Sequence, residues 1–160
     1  SSVNGWISDM RVVLFLFLLL AANGIAVELP LRGLALDGAA LEINPVQRKR
    51  PVVLVFWASW CGACQREMPA LRNFQAAMGT KVDLISCAID TDVAAAQACA
   101  TKHGLNYPVI RDSDMVIAAK FAVDATPAVI VLGADGRELA RGRSLKQVHR
   151  ALVDLGLASP

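Results

Sequence analysis

The sequence predicts one α/β domain in which a mixed central sheet carries helices on both faces. Residues 51–57 (Pro-Val-Val-Leu-Val-Phe-Trp) form an unbroken apolar run rich in β-branched residues, which is typical of a strand buried on both faces. A second, mostly apolar run over residues 82–89 follows a helical pattern, as expected for parallel strands joined by a helical crossover. At 160 residues, a single domain with one core is the natural size.

The first element along the chain is an apolar segment near the N-terminus. Residues 12–22 lack helical periodicity, follow the basic Arg11 and lead into the small-residue run Gly-Ile-Ala at 24–26. This order is typical of a cleaved signal peptide. An uncleaved membrane anchor and a buried element of the fold are the alternatives. The charge-free run from residue 12 spans sixteen residues, whereas a membrane-spanning helix needs ~20.

Both of the first two interpretations predict that the folded domain is exported. They divide the chain into a signal peptide or membrane anchor over residues 1–26, with the apolar part at 12–26, and a folded domain over residues 27–160. The predicted location is extracytoplasmic, in a periplasm or secreted. Such compartments allow disulfides to persist.

The folded domain opens with a predicted β-hairpin. Short apolar runs at 34–36 and 40–43 flank Asp37 and Gly38, and Asp-Gly between such runs is a strong hairpin signal. Residues 44–50 are then expected to form a polar loop.

The central strand is followed at once by a Cys-x-x-Cys motif, Cys61 and Cys64, and then by a helical pattern that ends before Gly79. Cys61 would lie at the helix N-terminus, where free N–H groups favour a thiolate, and Cys64 one turn deeper on the same face. The spacing suits a redox pair in which an exposed sulfur attacks and a sheltered one resolves.

Two other interpretations of the motif stay open. A zinc site would need two further ligands, and the available candidates do not form a second close pair. These candidates are Cys87, Cys99, His103 and His149. A purely structural disulfide would close a short loop and would therefore stabilise the fold little. Cys87 and Cys99 could form a second bridge or remain two buried free thiols.

Downstream of the motif, strand and helix signals alternate. The segment Asp90-Thr91-Asp92 offers an N-cap for an Ala-rich helix over residues 93–103, which Gly104 ends. Pro127 precedes an apolar strand, where its missing N–H marks a strand start or an edge. The other predicted elements are a strand at 107–110, a helix at 112–121, a turn at 134–137, a return strand at 138–140 and a helix at 144–155 capped by Ser144.

Charge and composition give little support to nucleic acid as a partner. The net charge is only +2, the chain has one Tyr, and the sole basic cluster is Arg48-Lys49-Arg50. That cluster lies before the central strand, where a solvated loop is the simpler interpretation.

Residues 56–69, with the pattern Phe-Trp-Ala-Ser-Trp-Cys-x-x-Cys-x-x-Glu-x-Pro, resemble the thioredoxin superfamily. The match is more specific to its extracytoplasmic branch, represented by TlpA, ResA and CcmG (DsbE), and extends over about residues 31–155. Two features depart from cytosolic thioredoxins. Val55 stands where they carry a buried aspartate, and Gly-Ala rather than Gly-Pro separates the cysteines.

The resemblance implies a thioredoxin-like fold with an N-terminal hairpin and a TlpA-type strand and helix insertion. It implies a protein thiol–disulfide oxidoreductase whose catalytic residues are Cys61 and Cys64. Trp60, Thr126 and Pro127 would bind substrate, with Pro127 in the cis form and facing the cysteines. Glu67 would modulate the proton balance of the pair, although its simpler interpretation is a surface carboxylate in a first helical turn.

Within this branch we expect a reductant of disulfides in exported proteins, apocytochrome c among them, that receives electrons from a membrane reductase. Two alternatives remain: an oxidant that introduces disulfides, and a peptide-binding or chaperone module without turnover. The chain is expected to act as a monomer, without cofactor or metal.

Overall fold

Residues 30–159 are described here by a computed structural model. The segment predicted to be a signal peptide or anchor therefore lies outside the described residues. Within residues 30–159, no helix combines the length and the apolar character needed to cross a membrane. The seven strands found in this range are β1 (Leu31–Leu34), β2 (Ala40–Ile43), β3 (Val52–Trp57), β4 (Asp83–Ala88), β5 (Val109–Arg111), β6 (Ala128–Leu132) and β7 (Glu138–Gly142).

Five of these strands form a mixed sheet in the order β5-β4-β3-β6-β7. The central strand β3 pairs parallel with β4, which pairs parallel with β5. On its other side β3 pairs antiparallel with β6, which pairs antiparallel with β7. Every residue of β3 is buried, as the unbroken apolar run predicts for a strand covered on both faces. The predicted fold class is confirmed.

Five helices occur in the described range: α1 (Pro45–Arg48), α2 (Gly62–Met78), α3 (Val93–Lys102), α4 (Val116–Lys120) and α5 (His149–Asp154). One face of the sheet packs against α2 and α5, since Val53 and Val55 of β3 share a buried cluster with Leu71 and Leu152. Pro69 lies inside α2, which nevertheless continues as one helix.

The opposite face of the sheet packs against α4 and the N-terminal hairpin. Leu54 and Phe56 of β3 share a buried cluster with Ile117 and Phe121, and the rings of Phe56 and Phe121 lie 5.9 Å apart between centroids. Full burial of each such ring contributes about 2–3 kcal/mol to the free energy of unfolding. Side chains that alternate along β3 thus supply two separate cores.

The hairpin of β1 and β2 forms as predicted, with its turn at Asp37 and Gly38. Gly38 has φ +88°, and Asp37 Oδ1 accepts the N–H of Ala39 at 3.0 Å. The hairpin docks on the edge of the main sheet through an isolated antiparallel bridge between Ala35 and Ile110 of β5.

The prediction of a polar loop over residues 44–50 is wrong, because these residues include helix α1. The Asn44 side chain accepts the N–H of Gln47 at 3.1 Å, and Pro45 occupies the first helical turn, where its missing N–H is not needed. Arg48 then pairs with Asp83 of β4 at 3.1 Å.

Two predicted helices begin later than expected. The first was predicted to start at residue 112, but α4 starts at Val116. The Asp112 carboxylate accepts the N–H groups of Ile117 (2.8 Å) and Ala118 (2.7 Å) and so caps this shorter helix. The second helix was predicted to start at Ser144, but the Ser144 hydroxyl accepts the N–H of Gln147 at 3.3 Å within a turn. Helix α5 starts only at His149. Side-chain acceptors compete with the helical ladder at both places.

Candidate active site

The two cysteines lie where the carboxyl end of β3 turns into α2. Cys61 is the N-cap of α2 and has extended backbone angles, while its carbonyl accepts the N–H of Gln65 at 3.1 Å. The Cys61 sulfur accepts the N–H of Cys64 at 3.1 Å. A free N–H at the first turn of a helix is thus directed at the Cys61 sulfur, which favours a negative charge on that atom when the thiol is reduced.

Cys61 and Cys64 form a disulfide, with 5.2 Å between their Cα atoms. Cys61 is 8% exposed and Cys64 is 2% exposed. The order of exposure is the expected one, but Cys61 is buried in the disulfide form, whereas the sequence predicted an exposed sulfur.

Trp60 immediately precedes the pair and is 71% exposed, the most open large apolar side chain among residues 30–159. The Thr126–Pro127 bond is cis, as expected. The register pairs Ala128 with Phe56, so Pro127 lies just beyond the ladder at the edge where the Cys61 loop leaves β3. Thr126 and Pro127 therefore lie at the same edge of the sheet as the cysteines.

Sequence reasoning did not identify Asp90 as part of this region. Asp90 is only 4% exposed, and its carboxylate accepts the Ser59 N–H at 3.0 and 3.1 Å as well as the Ser59 hydroxyl. Ser59 lies two residues before Cys61 and Asp90 two residues after β4. The one available signal was that parallel strands end at the same edge, so polar residues after β3 and β4 become neighbours.

The Ser59 carbonyl is bound from the opposite direction. The Gln65 side chain of α2 donates from Nε2 to the Ser59 carbonyl at 2.7 Å. Its Oε1 lies 3.3 Å from Nε2 of His103, the C-cap residue of α3. The short loop from β3 to Cys61 is therefore bound by Asp90, which follows β4, and by Gln65 of α2, whose amide in turn contacts His103.

Glu67 is half-buried and does not contact the disulfide directly through a hydrogen bond. Its carboxylate accepts the N–H of Leu145 at 3.3 Å, which links α2 to the turn after β7. This contact is compatible with a structural role and leaves the modulating role a prediction.

Cys87 and Cys99 are free and buried, so they do not form the second bridge that was one of the two alternatives. Burial raises the pKa of the Cys87 thiol well above its ordinary value, and the charge of Asp112 adds to the effect. Burial and then Asp90 raise the pKa of Cys99, while Lys102 opposes them. Within residues 30–159, no three His, Cys, Asp or Glu side chains lie close enough to hold a metal.

Three features together define a thioredoxin-like protein. They are a mixed sheet of this strand order, a disulfide at the start of the helix after the central strand, and a cis-proline at the same edge of the sheet. Residues 22–149 match the Redoxin family model, which is more than three quarters of the chain. The chain belongs to the Redoxin family.

Among relatives, the soluble secreted antigen MPT53 of Mycobacterium tuberculosis is 37% identical over 106 residues, which cover 66% of this chain and 57% of that protein. The thiol-disulfide oxidoreductase ResA of Bacillus anthracis is 28% identical over 103 residues, covering 64% of this chain and 59% of ResA. The matches thus span somewhat more than half the length of these relatives.

Solved structures with a similar fold cover most of the chain. A secreted Mycobacterium tuberculosis disulfide oxidoreductase described as homologous to Escherichia coli DsbE superposes with a TM-score of 0.69 at 28% identity, covering 81% of this chain and 96% of that one. DsbF of the same organism gives 0.70 at 27% identity, covering 79% and 96%. StoA of Bacillus subtilis, at 19% identity and a TM-score of 0.65 over 78% and 97%, shows the shared fold alone.

Proposed function

We propose that this chain is an enzyme, a protein thiol–disulfide oxidoreductase that exchanges disulfides with exported proteins through Cys61 and Cys64. The observation that carries the proposal is the disulfide between these cysteines at the N-terminus of α2. Membership of the Redoxin family and the relatives named thiol-disulfide oxidoreductase support the same activity.

The proposed reaction starts from the reduced pair. The Cys61 thiolate attacks one sulfur of a substrate disulfide, a mixed disulfide forms, and the other substrate sulfur leaves as a thiolate. Cys64, once deprotonated, attacks the Cys61 sulfur and releases the second substrate thiolate. Two electrons pass to the substrate, two protons restore its thiols, and this protein ends as the Cys61–Cys64 disulfide.

Cys61 is assigned as the nucleophile because it is the more accessible sulfur and receives the Cys64 N–H. Both features favour attack by the Cys61 thiolate on a disulfide from outside. Cys64 has almost no exposure, which suits a group that attacks only within the molecule.

Trp60, Thr126 and Pro127 are proposed to bind the substrate chain beside Cys61. An extended peptide needs backbone groups to pair with and an apolar surface to lie on. Thr126, half-exposed at the sheet edge, offers backbone groups for pairing, and the exposed indole of Trp60 offers an apolar surface. Glu67 is proposed to modulate the protonation of the pair across the first turns of α2.

We further propose the direction and the setting of the reaction. The resemblance of residues 56–69 to the TlpA, ResA and CcmG branch supports a reductant, with a role in cytochrome c maturation and a membrane reductase as electron donor. Residues 12–26 would act as signal or membrane anchor for a monomeric domain over residues 27–160. Relatives that are named as secreted support an extracytoplasmic location.

A trapping experiment tests the activity. The Cys64→Ser variant should accumulate a mixed disulfide between Cys61 and a peptide disulfide, because the resolving thiol is absent. Cys61→Ser, the matched control, should accumulate less because its remaining sulfur is sheltered. Non-reducing electrophoresis and peptide mapping identify the bond. Equal trapping by both variants would contradict the assignment of roles, and no trapping by either would contradict the enzymatic activity and favour a binding module.

A further inference from the structure

A cationic side chain is bound to the loop that carries Pro127. Arg143 follows directly after β7, is exposed, and donates from Nη2 to the backbone carbonyl of Thr126 at 2.8 Å. A guanidinium group has five N–H donors in a planar fork. Binding one carbonyl therefore leaves donors and the full positive charge available at the edge where a substrate would lie.

The turn that carries Arg143 touches both sides of this region. It reaches Thr126 through the Arg143 side chain and reaches α2 through the N–H of Leu145, which donates to Glu67 at 3.3 Å. This turn is thus attached to the loop that carries Pro127 through Arg143 and to α2 through Leu145.

A second guanidinium lies on the helix side. Arg66 of α2 is exposed, and its Nη1 would be 3.7 Å from a Cβ placed on Gly62, the residue after Cys61. Neither Arg66 nor Arg143 forms an ion pair with a carboxylate of residues 30–159. In contrast, Arg141 of β7 pairs with Glu138 at 2.8 Å.

Two carboxylates of this region are engaged elsewhere, since Glu67 accepts the Leu145 N–H and Asp90 is buried against Ser59. Asp124 is exposed and forms no ion pair or hydrogen bond within residues 30–159. Among the described residues, Arg66 and Arg143 are therefore two cations without a carboxylate partner.

We propose that the site prefers substrate segments with an acidic residue beside the reactive cysteine, and that Arg143 is a specificity-determining residue. This inference rests on the proposed function, since it concerns the peptide that pairs with Thr126 while its sulfur meets Cys61. Arg143 would hold the Thr126 carbonyl and present its remaining N–H groups to the acidic side chain, with Arg66 as a second cation on the helix side.

The expected preference is moderate and depends on salt. Each exposed ion pair changes a rate constant by roughly two- to fivefold. Screening shortens the range of the interaction from about 10 Å at 0.1 M salt to about 3 Å at 1 M. The preference should therefore decline as salt is added, while a preference that arises from apolar contact with Trp60 would not.

The test uses the reduced protein and three peptides that differ only in the residues flanking one cysteine, which are Glu, Gln or Lys. Each cysteine carries thionitrobenzoate as the leaving thiol, so that absorbance gives the rate of mixed-disulfide formation. At low salt we expect the Glu peptide to react at least about fivefold faster than the Lys peptide, with Gln between them.

Arg143→Gln should reduce the Glu-to-Lys rate ratio by roughly two- to threefold, and Arg143→Lys, which keeps the charge, should reduce it less. The matched control is Arg137→Gln, at the other end of β7, where the side chain is 79% exposed. The Glu-to-Lys rate ratio of Arg137→Gln should equal that of the unchanged protein.

Equal rates for the three peptides, a faster Lys peptide, or equal loss in Arg143→Lys and Arg143→Gln would overturn the inference while the oxidoreductase function stands. If no peptide reacts faster with the protein than with Cys61→Ser, the proposed function itself fails.

Discussion

Ser59 has its backbone and side-chain polar groups bound at once, and this fixes the loop that carries Trp60 and Cys61. Its N–H and hydroxyl donate to Asp90, and its carbonyl accepts from Gln65. Because Asp90 is buried, few water molecules could replace it. The exposed indole and the reactive sulfur are thereby attached to a rigid support, as a site for disulfide exchange requires.

Replacement of Asp90 by Ala should lower the free energy of unfolding by about 2–3 kcal/mol, since it removes a charged acceptor and leaves the Ser59 N–H unbound. Urea denaturation gives the value. Asp124→Ala is the matched control because that carboxylate is exposed and accepts no hydrogen bond within residues 30–159. It should change stability by less than about 0.5 kcal/mol. Similar losses in both variants would contradict the role of Asp90.

The two free thiols should react slowly in the folded protein. Burial raises the pKa of Cys87, so at a given pH a smaller fraction is thiolate, the form that iodoacetamide alkylates. In the oxidised protein, where Cys61 and Cys64 are bonded, alkylation at about pH 8 should be at least ~100-fold slower at Cys87 than after unfolding. Mass spectrometry of peptides measures it. Labelling of folded Cys87 at the unfolded rate would show that it is accessible.

At the level of elements, the N-terminal hairpin depends on close approach to β5. A Cβ added at Gly33 would lie 2.5 Å from Cγ2 of Ile110, a separation that forces atoms to move. Gly33 has no unusual backbone angle, so the need for glycine here is one of space. The hairpin is therefore packed against the sheet rather than appended to it.

Gly33→Ala should destabilise the protein by about 1–3 kcal/mol through this overlap. Ile110→Ala removes the Cγ2 atom, so Gly33→Ala should cost clearly less in that background. Denaturation midpoints of the four proteins of this cycle give the coupling. Equal costs in both backgrounds would mean that the hairpin does not pack on Ile110.

The elements that the sequence predicted well are those with a strong local pattern. The apolar run of β3 and the Asp-Gly turn of the hairpin are each recognised from a few neighbouring residues, and both predictions are confirmed. The helix from Ser144 was predicted too long because its periodicity continues through residues 145–148, while side-chain acceptors form a turn there. Helix α1 was missed because Asn44 and Pro45 are as common in loops as at helix starts.

At the level of the whole molecule, Cys61 and Cys64 could be predicted because they are only three positions apart. The contacts of Asp90 with Ser59 and of Arg143 with Thr126 join residues that are 31 and 17 positions apart. No local pattern encodes such pairs; they follow from the order of strands in the sheet. The sequence thus indicated the reacting atoms, and the fold adds the residues that support them.

The redox equilibrium of the Cys61–Cys64 pair with glutathione tests the central proposal most directly. Reduced thiols would be alkylated at each glutathione ratio and counted by mass, with Cys61→Ser as the control without a pair. We expect one two-electron transition with a midpoint at or below about −230 mV, in the range where a dithiol protein reduces others. A midpoint near −120 mV, typical of a strong oxidant, would contradict the proposed direction, and the absence of a two-electron transition would contradict dithiol exchange altogether.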